Sequence, residues 1–333
     1  MSSFTTYGDV SPRVGTYAVA KALANAQPEL CLSQYAMTTP MPKNKGQTIK
    51  WRRVTPFNVS TTALTEGVTP SASGVSYTDI TATLAQYGDI RRITDVIQDT
   101  HEDPWLNWIS EESGKQAATT KETLLWNTVS AASTIYYSNG SAIGSVNTAV
   151  DEDLVRAAVN QLKRNHARRI TKRISASPGI STEPVNAGFV AVGHTDLERD
   201  LRQLNGFVSI EYYGSVQPIH PNEVGKFEDV RFILTPHLTP SLGSGSSTLN
   251  GMRSSAGSAV DVYKLIIFGQ EAFGTVALKG MDSVQMAVTN PKMGVQGDEL
   301  GQRGSVSWKF WHADAILNDA WICALYSGAT ALS

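Results

Sequence analysis

Hydrophobic and polar positions change period several times along the chain, and each change marks an element. Pro12, in the pair Ser11-Pro12, suits a first helical turn. The Ala- and Leu-rich stretch 17–26 follows, and Pro28 stops it, so one short helix is expected in an amino-terminal arm. The stretch Thr38-Thr39-Pro40-Met41-Pro42 reads as a hinge. Residues 48–54 are β-prone through Ile49, Trp51 and Val54, and residues 78–83 alternate, with Ile80, Ala82 and then Leu84 on one side. Between them, residues 55–77 read TPFNVSTTALTEGVTPSASGVSY, with too few apolar side chains to build a core of their own. Residues 41–98 are therefore expected to project as a long hairpin whose connection serves binding.

Helical spacing takes over at 102–137. Trp105, Trp108, Ile109, Leu124, Leu125, Val129, Ala132 and Tyr136 recur on it, behind Thr100 or Asp103 as cap and Pro104 in the first turn. A single helix over that range would span about 54 Å, so the stretch is either one spine or a pair broken at Gly114 or Thr119-Thr120. The next helix has the better signals. Asp151-Glu152-Asp153 places negative charge at its start, and Leu154, Val155, Ala158, Val159 and Leu162 form one stripe. Thr195-x-x-Glu198 has the capping-box pattern ahead of Leu197, Leu201 and Leu204. Buried-strand patterns occur at 189–193, 230–234 and 262–268. Residues 305–317 form a long β-prone run with Trp308, Phe310 and Trp311, and 319–326 continue it as an apolar stretch. The loop 241–258, SLGSGSSTLNGMRSSAGS, has the composition of a flexible surface segment.

Composition narrows the classes. In 333 residues, 28 basic and 30 acidic side chains give a formal charge of −2, and charged residues are only 17% of the chain. That excludes a charged disordered chain and a histone-like one, while 41% hydrophobic content supports a sizeable core. Cys31 and Cys323 stand far apart in no motif, so neither a disulfide scaffold nor a cysteine zinc site is expected. No apolar stretch approaches the ~18 residues of a membrane span, and residues 1–9 lack the features of a signal peptide.

The search for chemistry finds no phosphate-binding loop, dinucleotide glycine cluster or nucleophile elbow, and no cofactor is expected. His194-Thr195-Asp196 could be an acid–base pair, but a helix cap with acidic first-turn residues accounts for the same side chains. His101-Glu102-Asp103 could hold a cation or simply start a helix. Lys163, Arg164, Arg168, Arg169, Lys172 and Arg173 form a basic run. It reads either as diffuse phosphate contact or as dipole complementation with a solvated face; no aromatic residue interleaves it for base stacking. The chain has no visible active site, and its arm, hairpin, spine and loop are devices for gripping neighbours.

Several ordered stretches resemble the major capsid proteins of tailed bacteriophages, in the family typified by podoviruses of the coliphage N-four type. They include LTEGVTP at 64–70, QYGDIRRITDVIQDTHEDP at 86–104, SASPGISTEPV at 175–185, RFILTP at 231–236, DVYKLIIFGQEAFGTVALKG at 261–280, and LGQRGSVSWKFW near the C-terminal end. The resemblance implies an α+β Hong Kong 97-like capsid fold. In that fold 1–40 would be the N-terminal arm, 41–98 the extended loop and 99–185 a peripheral domain with the spine helix. Residues 186–303 would be an axial domain with the Ser/Gly loop near the capsomer centre, and 304–333 a C-terminal strand returning to the peripheral domain. It implies a structural protein without enzymatic activity that assembles with itself, as hexamers and pentamers, into an icosahedral virion shell around double-stranded DNA in the host bacterial cytoplasm. A portal protein, a separate scaffold and a decoration protein are the expected partners, and no membrane. An encapsulin-like cellular shell is the alternative. Because 55–77 holds no lysine, the isopeptide cross-link of the fold's namesake is not expected.

Overall fold

Period-two patterning becomes two mixed sheets, and the best helical stripe becomes the layer that covers one of them. The computed structural model describes residues 30–64, 66–69, 71–96, 105–175, 181–213, 218–278, 284–292 and 298–332. Strands β1 (Met37–Met41), β2 (Thr48–Val54), β3 (Tyr77–Thr83) and β4 (Ala85–Thr94) come first. Helix α1 (Trp105–Val129), β5 (Ile135–Tyr137) and helix α2 (Glu152–Arg164) follow. Next are β6 (Ile170–Ser175), β7 (Ser181–Gly193), α3 (Glu198–Arg202), β8 (Phe207–Ser209), β9 (Glu223–Phe227) and β10 (Val230–Leu234). The remainder is β11 (Tyr263–Phe268), β12 (Phe273–Leu278), β13 (Gln285–Thr289), β14 (Arg303–Ile316) and β15 (Ile322–Ser327).

The larger sheet runs β5-β15-β11-β7-β10-β9-β8, with β6 beside β7. Alternation along its central strands divides the core into two layers. Phe189, Ala191, Leu265, Ile267, Cys323 and Leu325 face the stripe of α2, formed by Leu154, Val155, Ala158, Val159 and Leu162. Val190, Val192, Ile266, Phe268, Ile322 and Ala324 face the other way, onto Leu125, Trp126 and Val129 of α1 and onto Cys31, Leu32 and Tyr35. Asp151 caps α2 by accepting the Leu154 N–H at 2.8 Å, as its sequence signals predict.

The smaller sheet is organised by β14. It pairs antiparallel with β4 over Arg303–His312, with β13 over Ser305–Lys309, and with β12 over Ala313–Ile316. Trp308 and Phe310 stack at 5.5 Å and pack on Ala117 of α1. Gln116 ties the three elements together: it donates to Asp89 Oδ2 at 2.8 Å and accepts from Trp308 Nε1 at 3.2 Å. β2 and β3 form a separate two-stranded ribbon.

Several expectations are corrected. The 38–42 hinge is strand β1, pairing parallel with β12 at the sheet edge, where Pro40 is tolerated. The 102–137 helical pattern is one helix that ends at Val129 and runs unbroken through Gly114 and Thr119-Thr120, about 37 Å long. Its threonine hydroxyls bond back to carbonyls four residues earlier. Tyr136 belongs to β5, which pairs with β15 and gains sheet hydrogen bonds that a helix end would leave to solvent. In place of Thr195, His194 caps the next turn: its Nδ1 accepts the Asp196 N–H at 3.1 Å. The Ser/Gly loop is tied down rather than free. Buried Asp261 accepts from the N–H of Gly243 and from the N–H and hydroxyl of Ser255, at 2.6–2.8 Å. The helix expected at 17–26 and the His101-Glu102-Asp103 group lie outside the described residues.

Candidate assembly surfaces

The ribbon is built from alternation. Ile49 and Trp51 of β2 and Ile80 and Ala82 of β3 point to one side. There they join Met41, Leu84, Val276, Ala313 and Ala315 in a small apolar cluster that fixes the ribbon's base to β12 and β14. Trp51 Nε1 donates to Thr39 Oγ1 at 3.2 Å, adding an orienting bond from β1. The opposite side is polar. Arg52 grips Asp79 through Nε at 2.8 Å and Nη2 at 3.2 Å, Lys50 approaches the same carboxylate at 3.3 Å, and the guanidinium lies 4.1 Å from the Tyr77 ring centre. The Arg52 hydrogen bond is the main influence holding the Asp79 carboxyl below the usual range. Backbone bonds close the ribbon at both ends, Leu84 N–H to Gln47 O and Thr55 N–H to Ser76 O.

Beyond that second bond every described residue of 55–76 is exposed. Phe57 and Val59 are 69% and 88% exposed, and Leu64, Val68 and Val75 are exposed with them. Scattered surface apolar residues are ordinary; five on one extended segment with no core beneath is the arrangement of a surface awaiting a partner.

The basic run is partly neutralised within the chain. Lys163 and Arg169 both bind the Asp229 carboxylate, at 2.7 and 2.8 Å, and hold it below its ordinary range, with the Lys163 bond the largest cause. Arg168 lies 3.9 Å from Glu271. Lys163 and Arg164 end α2, whereas Arg168 and Arg169 follow a left-handed residue, His166 at φ 52. Lys172 and Arg173 lie on β6, opposite Pro184 and Glu183 of β7. The side chains of Lys163, Arg164, Arg168 and Arg169 are exposed.

His194 and Asp196 come together, but in structural roles. Asp196 Oδ2 accepts from the Tyr263 hydroxyl and pairs with Arg253, each at 2.7 Å. Burial holds the His194 imidazole below its ordinary value. Asp261 is the residue that sequence reading missed in the Ser/Gly loop. The signal was there: a lone acid just after a segment rich in backbone N–H groups and short side chains. Among the described residues, no group of three or more His, Cys, Asp or Glu is placed to hold a metal ion, and no helix is long and apolar enough to cross a membrane.

A family model described as phage capsid protein matches residues 77–325, most of the chain. The chain belongs to the phage capsid protein family. No curated protein sequence matches it. Among solved structures it is similar to the capsid of Ralstonia phage GP4, at 11% identity and TM-score 0.66, covering 92% of this chain and 95% of that one. The cyanophage P-SCSP1u capsid matches at 15% identity and TM-score 0.59 over 91% and 89%. The cyanophage Pam1 capsid asymmetric unit matches at 14% and 0.57 over 92% of each chain. At such identities the likeness is one of fold, here the Hong Kong 97-like capsid fold. Membership of this family makes the chain a structural protein of the virion capsid shell and favours the phage reading over the encapsulin-like one. It gives the ribbon a structural context rather than a catalytic one.

Proposed function

We propose that this chain is the repeating subunit of an icosahedral head, assembling as hexamers and pentamers around double-stranded DNA in the host cytoplasm. The observation that carries the proposal is the exposed apolar segment 55–76 on a ribbon that, among the described residues, is anchored at its base. Laid on an adjacent copy, it would bury side chains that its own chain leaves in water, and repetition over many subunits multiplies weak contacts into a stable shell. On this reading 1–40 is the arm, 41–98 the extended-loop region and 99–185 the peripheral domain around α1. Residues 186–303 form the axial domain, and 304–333 return to the peripheral domain. The closer resemblance to podoviruses of the coliphage N-four type belongs to the same proposal, as do a portal, a separate scaffold and a decoration protein as partners.

Negative-stain microscopy of the purified chain, alone and then with neighbouring phage gene products, tests the assembly. Shells, tubes or capsomer rings are expected; monomer under every condition would overturn it. Particles heated in SDS should run as single chains, because 55–77 offers no lysine for a cross-link; a covalent ladder would refute that part. The exposed basic side chains are assigned to diffuse phosphate contact with packaged DNA. Reversing Arg164 and Arg168 should lower DNA retention while empty shells still form, and normal filling would remove the assignment.

A further inference from the structure

A heavily committed buried carboxylate outside the assembly surfaces belongs to Glu122, on the buried side of α1. Its side chain is 1% exposed. Oε1 accepts the N–H groups of Cys31 at 2.9 Å and Leu32 at 2.6 Å, and Oε2 accepts the Ser33 hydroxyl at 3.2 Å. Those residues belong to the turn that leads into β1, and Cys31, Leu32, Tyr35 and Ala36 are inserted into the core beside Leu125 and Trp126. One side chain of the long helix therefore fixes the turn that leads into β1.

We propose that Glu122 is a proton-linked latch: the neutral acid holds residues 31–36 against α1 firmly, and ionisation loosens them. The geometry supports both states. A protonated Glu122 keeps Oε1 as acceptor for the Cys31 and Leu32 N–H groups, and its O–H can donate to the Ser33 oxygen, so the turn stays held and no charge is buried; the Ser33 N–H, which favours the anion, is the one contact that weakens. An ionised Glu122 keeps the three bonds but sits out of water. Burial outweighs those bonds and pushes its carboxyl up to about 7.

Other charged groups face the site. Lys121, next on the same helix, is disfavoured as a cation by burial and stabilised by Asp314 and then Glu122. On β14, Asp314 Oδ2 is paired at 2.7 Å with buried His312 Nε2. On the turn, the Cys31 thiol is pushed up by burial and further by Glu122. When the turn lifts, Glu122 meets water and returns toward its ordinary 4.5. The seated value is the raised one, so the extra hold is complete below about 4.5, weakens as pH rises, and is gone once pH passes about 7.

The chain's two cysteines, both buried, supply the readout. Iodoacetamide labelling of Cys31, divided at each pH by the labelling rate of the urea-unfolded chain, reports opening of the turn free of the thiolate dependence, and Cys323 on β15 reports opening of the larger sheet. In the full-length chain this ratio is expected to rise roughly twentyfold between pH 5.5 and 7.5. In Glu122→Gln, an isostere that is neutral throughout, it should stay low and flat. A flat wild-type ratio, or the same rise in Glu122→Gln, overturns the proposal; the latter would assign the effect to Lys121, His312 or Cys31. If the variant does not fold, hydrogen exchange of 30–36 in the wild type, corrected for intrinsic rates, decides. Protection that falls across the same interval supports the latch, and constant protection removes it.

Discussion

The 55–76 segment and the larger sheet use the same kinds of side chain in opposite ways. In the sheet, Phe189, Phe232, Phe268 and Ile267 are out of water entirely, distributed by alternation onto two covering layers. On the projecting segment, Phe57, Val59 and Leu64 have the same chemistry and almost no cover. Within one chain the first group lowers the free energy of folding, whereas the second gains little until another surface arrives. Substitutions in the two regions should therefore be felt at different stages, one in the stability of the single chain and the other in assembly.

Phe268→Ala should have the largest effect on the unassembled chain. It removes a ring that sits 5.0 Å from Phe273 and 6.0 Å from Tyr35, at a cost of ~3–5 kcal/mol. Denaturant unfolding measures it, and a loss below about 1 kcal/mol would mean that this core collapses around the gap. Asp151→Ala comes next. Losing the Leu154 N–H cap should cost about 1 kcal/mol, readable in the same unfolding curve, with Asp151→Asn recovering most of it. The double change Phe57→Ser and Leu64→Ser should move the single chain's stability by less than about 0.5 kcal/mol while sharply lowering the yield of particles in microscopy. A variant that melts early would show that the segment already packs on its own chain, and the contrast between the two regions would fail.

The legible parts of the sequence were those where local pattern and tertiary environment agree. The α2 stripe and its Asp151 cap need only local rules, and the central strands announce themselves by apolar runs. Ile49, Trp51, Ile80 and Ala82 predict the ribbon because alternation and cross-strand register coincide. The carboxy-terminal run is a harder case. Residues 305–317 and 319–326 read as one strand and its continuation, yet a short 3₁₀ turn at Asp319–Trp321 sends β14 into the smaller sheet and β15 into the larger one. No periodicity distinguishes those destinations, since partner choice depends on residues far away in sequence.

The amino-acid sequence by itself determined the ribbon, the two long helices and the central strands, the absence of a recognisable catalytic motif, and the family resemblance carried by ordered stretches along the chain. Only the tertiary structure decided that 37–41 is a strand, because its parallel partner β12 lies over 230 residues away. It also placed His194 as a cap, gave Asp261 the Ser/Gly loop to hold, and brought Glu122 onto the backbone of Cys31 and Leu32. The reason is common to all of these. Local propensity fixes how a segment prefers to bend, whereas a buried polar atom or an edge strand takes its meaning from the partner that satisfies it.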